Sequence, residues 1–96
     1  MRHKYIITYD ITEAKRLNRV CKTLKGYGEH LEYSVFECDL ADSEMIILKG
    51  KLSDIINHRE DQVLFIDLGS VMSAHIDCVD SLGRSYTPLQ HDVPIY

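Results

Sequence analysis

Residues 4–10 constrain this 96-residue chain more than any other stretch, because they form an apolar strand pattern that ends in a carboxylate. The Tyr, Ile and Thr side chains of the run favour an extended strand. A helix-start signal follows, with Thr12 as the predicted N-cap and Glu13 at the positive end of the helix dipole. The stretch therefore predicts that Asp10 lies at the rim of a sheet. There it either serves chemistry on rigid backbone or makes only a local hydrogen bond in a turn.

The segment from about residue 13 to residue 25 predicts an amphipathic helix that Gly26 and Gly28 bring to an end. Apolar side chains recur at intervals of three and four residues on one face: Leu17, Val20, Cys21 and Leu24. The opposite side and its flanks carry basic residues: Lys15, Arg16, Arg19, Lys22 and Lys25. A basic face of this kind is either simply solvated or binds phosphates.

The charge of the chain is unevenly distributed along the sequence. The net charge of −4 argues against a nucleic-acid partner. However, residues 1–25 contain seven Lys or Arg and two acidic residues, whereas the remainder contains four and thirteen. The sequence therefore predicts a basic surface on an acidic protein.

The rest of the pattern predicts two further strand regions and a second helix. Residues 30–39 form either one bulged strand or a tight hairpin. A helix begins at Asp42 or Ser43 and runs to about Asn57, and residues 62–68 form a central strand. This order predicts an α+β sandwich with ferredoxin-like βαββαβ topology, in which two helices cover one face of an antiparallel sheet. The other face would be bare, and two such faces could pack together in a homodimer.

The C-terminal part is predicted to be separate from a ferredoxin-like domain formed by residues 1–80. Residues 74–79 could add a short strand, and residues 81–96 form a polar tail. The tail ends in an apolar group of residues: Val93, Pro94, Ile95 and Tyr96. This end either frays in solvent or adds as a strand to the sheet edge of another subunit.

Several common types of functional site are excluded because the sequence lacks their motifs and residue spacings. The three cysteines, Cys21, Cys38 and Cys78, form no CxxC pair, which suits reduced thiols in a cytoplasm. The histidines do not stand at metal-ligand spacing, and no Gly-rich phosphate loop or hydrolase motif is present. No apolar run approaches the roughly 20 residues that span a bilayer, and the N-terminus does not resemble a signal peptide. We expect a cytoplasmic protein with no membrane partner.

The candidate site that remains is one aspartate at a strand end, followed by a basic helix. Mg²⁺ prefers oxygen ligands and usually takes one or two carboxylates together with substrate phosphates and waters. A two-fold dimer could bring two Asp10 side chains close to its axis, where they would hold a metal that activates water against a phosphodiester.

Four short motifs and a strand, in this order, resemble the second CRISPR-associated (Cas) protein family, the small adaptation-stage nucleases that work beside the CRISPR integrase. The motifs are Tyr9-Asp10-Ile11, Arg16-Leu17 with Arg19-Val20, Tyr27-Gly28, and Ser34-Val35-Phe36-Glu37-Cys38. The strand of residues 61–68 follows, so the resemblance covers about residues 4–68.

The resemblance implies a ferredoxin-like homodimer in which Asp10 is a catalytic, Mg²⁺-binding position, with Mn²⁺ as an alternative ion, for hydrolysis of RNA or DNA. It also implies a bridge between two integrase dimers that holds duplex DNA during the acquisition of new spacers. The candidate nucleic-acid contacts are Tyr9, Lys15, Arg16, Arg19 and Lys22. The segment from Val93 to Tyr96 would bind a neighbouring subunit.

The chain departs from the family pattern at His30, Leu31 and Glu32, where the family often has Arg-Val-Gln. A usually neutral histidine and an acid weaken the attraction of phosphates, which favours a scaffold role over vigorous nuclease activity. Two other functions stay open. One is a stand-alone ribonuclease of toxin type, and the other is a metabolite-binding regulatory module, against which the basic helix face argues.

Overall fold

The computed structural model describes residues 2–69 and 79–84. The elements in chain order are β1 (Arg2–Asp10), α1 (Ala14–Lys25), β2 (Gly28–Glu32), β3 (Val35–Ala41), α2 (Asp42–Ile55), β4 (Gln62–Asp67) and β5 (Val79–Gly83). The strands form one antiparallel sheet in the order β2-β3-β1-β4-β5. The ferredoxin-like arrangement with an additional C-terminal strand is thereby confirmed. Neither described helix is long and apolar enough to cross a membrane.

Both helices pack against the same face of the sheet, and the core lies between the two layers. Tyr5, Ile7 and Tyr9 of β1 are buried there, while the alternate residues of the strand are more exposed, as the two-residue period of a strand requires. The other elements contribute the remaining core residues: Val20, Leu24, Phe36, Cys38, Leu40, Met45, Leu48, Leu52, Ile55, Ile56, Val63 and Phe65. The core fixes β1 at the centre of the sheet and therefore fixes the strand end that carries Asp10.

The other side of the sheet, here called the open face, is not covered by either described helix. Ile6 is paired in register with Ile66, and Thr8 is paired with Leu64 on one side and Val35 on the other. All five residues are only partly buried. A partly apolar sheet face of this kind favours packing against another protein surface. The homodimer stays a prediction.

One open alternative is decided by the structure, and two N-cap predictions are wrong. Of the two possibilities for residues 30–39, the tight hairpin is confirmed, because β2 and β3 make a hairpin that turns at Tyr33 and Ser34. Thr12 is not the N-cap of α1. Glu13 takes that role, since its carboxylate accepts a hydrogen bond of 3.0 Å from the backbone N–H of Arg16. The N-cap of α2 is likewise Ala41, one residue before the predicted Asp42 or Ser43.

The sheet continues beyond the predicted domain boundary at residue 80. β5 pairs with β4 from Val79 to Gly83, and Asp80 pairs with Lys49 of α2. Most of the strand predicted over residues 74–79 and the apolar end at residues 93–96 lie outside the described residues.

Two glycines offer a matched test of the packing. A Cβ on Gly28 would overlap the carbonyl oxygen of Glu37, whereas a Cβ on Gly50 of α2 would meet nothing within 4 Å. We expect Gly28→Ala to lower the free energy of unfolding by about 1–3 kcal/mol through overpacking. Gly50→Ala should raise it by up to about 1 kcal/mol, because glycine is a poor helix former. The measurement is the urea midpoint at equal protein concentration, and a shift of the same sign in both variants would contradict the packing.

Candidate active site

Asp10 lies where the sequence predicts it, at the last position of β1 and at the rim of the sheet. Its place in the alternation puts it on the same side as Ile6 and Thr8, which is the open face. Its side chain is 70% exposed. Among residues 2–69 and 79–84, the hydrogen-bond partner of this carboxylate is Arg84, whose Nη2 lies 2.6 Å from Oδ2.

A cavity of about 590 Å³ opens beside Asp10. Its walls come from the end of β1, the start of α1, the loop before β4 and the residue after β5. The lining residues are Asp10, Thr12, Glu13, Arg16, Glu60 and Arg84. The cavity thus combines carboxylates with two guanidinium groups and has the polarity expected for charged ligands rather than apolar ones.

A buried carboxylate, Asp61, positions the residues of one cavity wall. Its side chain is fully excluded from solvent. Asp61 accepts hydrogen bonds from the backbone N–H of Thr12 at 2.9 Å and from the Thr12 hydroxyl at 3.1 Å. It also accepts from the backbone N–H of Asn57 and from Nε of Arg16, both at 2.8 Å. These bonds join the turn after β1, the first turn of α1 and the loop after α2.

The protonation of Asp61 follows from these contacts. Burial raises the pKa of the Asp61 carboxyl, but the hydrogen bonds from Arg16, Thr12 and Asn57 lower it more, so the net pKa lies well below the ordinary value. This role is hard to predict from the sequence, since Asp61 belongs to a polar segment that connects α2 to β4. Its place directly before a strongly apolar strand is the signal that could have marked it.

Arg16 lines the cavity with Asp10, but its guanidinium is already engaged. Besides the bond from Nε to Asp61, Nη2 donates to the Thr12 hydroxyl at 3.0 Å and to Glu60 at 3.3 Å. The side chain is 22% exposed. A phosphate at Arg16 would therefore compete with several acceptors of the same chain.

The other predicted nucleic-acid contacts lie outside the cavity. Lys15, Arg19 and Lys22 are exposed on the outer side of α1, and their ammonium and guanidinium groups form no ion pair with the described residues. Tyr9 is a core residue, 4% exposed, and its hydroxyl donates to the carbonyl of Tyr33 at 3.0 Å. Tyr9 thus has almost no surface on which to meet a nucleic acid. Residues 93–96 lie outside the described residues.

His30 is the first residue of the triplet at which the sequence departs from the expected family pattern. Its ring stacks on Phe36 at 4.5 Å between centroids, and Nε2 lies 2.8 Å from the carbonyl oxygen of Tyr33. Both contacts brace the β2–β3 hairpin. The His30 ring therefore supports the local fold.

The residues around Asp10 can be tested for their fit to a magnesium ion. Within the described parts of the chain, no group of three or more His, Cys, Asp or Glu side chains could hold a metal. Mg²⁺ does not need such a group, because it takes one or two carboxylates and fills its octahedron with water and phosphate oxygens. An exposed aspartate on the open face suits a site to which two facing subunits each contribute one carboxylate.

The buried Asp61 makes the stability of the fold depend on pH. Its folded-state pKa lies below that of the unfolded chain, about 3.9, so the unfolded chain takes up the proton first as the pH falls. The stabilisation is therefore present above about pH 4 and is lost progressively below it. Asp61→Asn should cost about 3 kcal/mol or more at neutral pH, because it leaves Arg16 without its buried partner.

Urea unfolding of wild type, Asp61→Asn and the exposed control Asp54→Asn at about pH 7 and about pH 3 measures this contribution. Asp54→Asn should follow the wild type, and Asp61→Asn should lose less stability between the two pH values. An equal loss in Asp61→Asn and wild type would show that Asp61 is not the group responsible.

Comparison with known proteins places the chain in a family. The family model described as CRISPR associated protein Cas2 matches residues 2–75. The CRISPR-associated endoribonuclease Cas2 of Geobacter sulfurreducens is 38% identical over 89 residues, which are 93% of each chain. The CRISPR-associated endoribonuclease Cas2 1 of Rhodospirillum rubrum is 37% identical over 93 residues, which are 97% of this chain and 90% of the relative.

The fold agrees with that assignment. The crystal structure of Streptococcus pyogenes Cas2 has a TM-score of 0.66 and 34% identity to this chain, and the match covers 69% of this chain and 86% of that one. The resemblance predicted from the short motifs is confirmed, and the chain belongs to the Cas2 family of CRISPR-associated proteins.

Proposed function

We propose that this protein acts in CRISPR adaptation as a two-fold dimer that bridges integrase dimers and binds duplex DNA. In the same proposal, the Asp10 side chains of both subunits form a Mg²⁺-dependent centre for phosphodiester hydrolysis. The observation that carries the proposal is the position of Asp10, an exposed carboxylate at a rigid strand end on the open face. Because the curated relatives are named endoribonucleases, RNA is the first substrate to test.

The open face supports the dimer. Packing two such faces would remove apolar side chains such as Ile6, Leu64 and Ile66 from water, at about 25 cal/mol per Å² of apolar area buried. Asp10 extends the same row of β1 side chains to the rim of that face. An axis that passes near the end of β1 would bring the two carboxylates together, and they would supply the pair of oxygen ligands that Mg²⁺ accepts.

The residues of the chain then have separate tasks in hydrolysis. Asp10 would hold the ion, which when bound supplies an activated water and polarises the phosphodiester; Mn²⁺ is the natural substitute. Arg16 would remain hydrogen-bonded to Asp61 and would keep the turn that follows Asp10 in place. The negative charges of the cavity carboxylates are partly compensated, since Glu60 pairs with Arg16 and Glu13 accepts a backbone N–H at the start of α1. The cavity can therefore accept an anionic ligand despite its carboxylates.

Duplex DNA would bind on the outer side of α1 and not at Asp10. Lys15, Arg19 and Lys22 are exposed there, with no acid partner among the described residues. Lysine and arginine on such a surface bind phosphates mainly through the release of counterions. The basic surface thus gives an acidic protein a place to hold nucleic acid.

The first test of the proposal is the substitution of Asp10. We expect Asp10→Asn to reduce metal-dependent cleavage about a hundredfold or more, because an amide binds Mg²⁺ weakly and a bound ion supplies several kcal/mol of transition-state stabilisation. Cleavage of RNA and DNA oligonucleotides in Mg²⁺, in Mn²⁺ and in a chelator gives the measurement. Asp54→Asn, an exposed acid on α2, is the matched control and should cleave at the wild-type rate.

The same variants separate the scaffold role from the nuclease role. Asp10→Asn should still co-purify with the integrase and a short duplex, whereas a chain truncated before Val93 should not. A wild-type protein that cleaves RNA but never retains the integrase would favour the stand-alone ribonuclease. Cleavage that survives Asp10→Asn would remove Asp10 from the centre.

The basic surface of α1 can be tested by salt dependence. Replacement of Arg19 and Lys22 together by Gln should make the slope of log K against log salt shallower by about 2, because two phosphate contacts are lost. Arg2→Gln is the control, since Arg2 is the first residue of β1, lies outside α1, and pairs with Asp39 and Glu44. A slope that is unchanged in the double variant would exclude this surface from the interface.

A further inference from the structure

Two arginines line the Asp10 cavity, and the structure holds them in different ways. Arg16 donates to Asp61, Thr12 and Glu60 and is 22% exposed. Among the described residues, the Arg84 side chain makes one hydrogen bond, to Asp10, and it is 40% exposed. The Arg16 guanidinium is therefore fixed by several acceptors, whereas that of Arg84 has one acceptor, an exposed carboxylate, in the same part of the chain.

The contact between Arg84 and Asp10 leaves the guanidinium incompletely satisfied. Nη2 donates to Asp10, but Nε is buried and has no acceptor within the described residues. A guanidinium presents its N–H groups as a planar fork, and carboxylates and phosphates normally accept two parallel bonds from it. A buried N–H without a partner costs free energy. A phosphate that draws the side chain outward could satisfy both donors.

The backbone holds Arg84 next to Asp10 even when its side chain moves. The Arg84 N–H donates to the carbonyl of Asp61 at 2.7 Å, and the Gln62 side-chain amide donates to the Arg84 carbonyl at 3.1 Å. The preceding Gly83 has φ +94°, and a Cβ there would overlap the Asp61 carbonyl oxygen. Arg84 is thus anchored to the same Asp61 segment that holds Arg16, and only its side chain is free to change partner.

A divalent cation at Asp10 would compete with the Arg84 guanidinium for the same carboxylate. Because both are positive, the metal would repel the guanidinium and weaken its hydrogen bond to Asp10. The displaced side chain would stay within reach of the cavity, because its backbone is anchored, and could bind an anion there. The exchange would turn a blocking cation into a phosphate ligand.

We propose that Arg84 is a phosphate-binding residue of the Asp10 site that occupies the Asp10 carboxylate until a divalent cation displaces it. The ligand is a phosphodiester of a nucleic acid, held by the fork of the guanidinium. The inference rests on the proposed function, because it takes Asp10 as the metal-binding group. It adds a residue that belongs to none of the motifs in residues 4–68.

The test measures two affinities that should change in opposite directions. In Arg84→Gln, Mn²⁺ alone should bind about three- to fivefold more tightly, because an exposed ion pair no longer competes for Asp10. A hydrolysis-resistant phosphorothioate RNA oligonucleotide, titrated in the presence of Mn²⁺, should bind about tenfold or more weakly, because a charged hydrogen-bond donor is lost. Electron paramagnetic resonance of free Mn²⁺ and fluorescence anisotropy give the two values.

Two further variants make the result specific. Arg59→Gln removes an exposed arginine that has no side-chain partner among the described residues, and it should leave both affinities at the wild-type values. Arg84→Lys keeps the charge but has no fork, so it should keep the Mn²⁺ affinity and lose oligonucleotide affinity. Arg84→Lys also serves if Arg84→Gln fails to fold.

The inference is overturned if Mn²⁺ affinity is unchanged in Arg84→Gln, or if oligonucleotide affinity in that variant equals that of Arg59→Gln. A failure of the proposed function has a different signature, because it is the absence of Asp10-dependent cleavage by the wild type. If Arg84→Gln shifts the two affinities in opposite directions but the wild type cleaves nothing, the inference is supported and the hydrolytic function is rejected.

Discussion

The buried carboxylate of Asp61 is the interaction on which the rest of the site depends. Buried charges are costly unless they are paired and fully hydrogen-bonded. Asp61 meets that condition, with four donors within 3.1 Å and Arg16 as its counter-charge. Its side chain joins the turn after β1 to the loop after α2, and its carbonyl accepts from Arg84. The direction in which the chain leaves Asp10 is therefore set by a residue other than Asp10 itself.

The hydrogen bonds of Asp61 also determine which arginine remains available to bind a ligand near Asp10. A guanidinium held by a buried carboxylate and two further acceptors is part of the fold, and its loss costs stability before it costs binding. A guanidinium held by one exposed carboxylate contributes little to stability, since such pairs are worth about 0–1 kcal/mol. Arg16 belongs to the first kind and Arg84 to the second. An arginine near a candidate centre is therefore best judged by its existing partners.

The sequence predicts those parts of the fold that local pattern determines. β1, the helices and β4 follow from apolar periodicity, because burial of one face imposes that period. The position of Asp10 follows from β1. The choice between a bulged strand and a hairpin over residues 30–39 does not, since the turn at Tyr33 and Ser34 has no Gly, Asn, Asp or Pro, and Ser is a weaker turn former. Thr12 is not the cap, because the carboxylate of Glu13 accepts the Arg16 N–H, while the N–H and hydroxyl of Thr12 donate to Asp61, 49 residues away. Arg84 depends on long-range contacts in the same way.

The arrangement separates Asp10, the proposed metal-binding residue, from the surface proposed to hold DNA. Asp10 extends the open face, whereas Lys15, Arg19 and Lys22 lie on the outer side of a helix that packs on the opposite face of the sheet. A cluster of cations beside Asp10 would repel a metal ion, and a cluster of carboxylates beside α1 would repel phosphates. The exposed cations of α1 therefore lie on the other side of the sheet from Asp10, whose own cationic neighbours are Arg16 and Arg84 in the cavity wall. This arrangement also allows a chain with a net charge of −4 to present a basic surface.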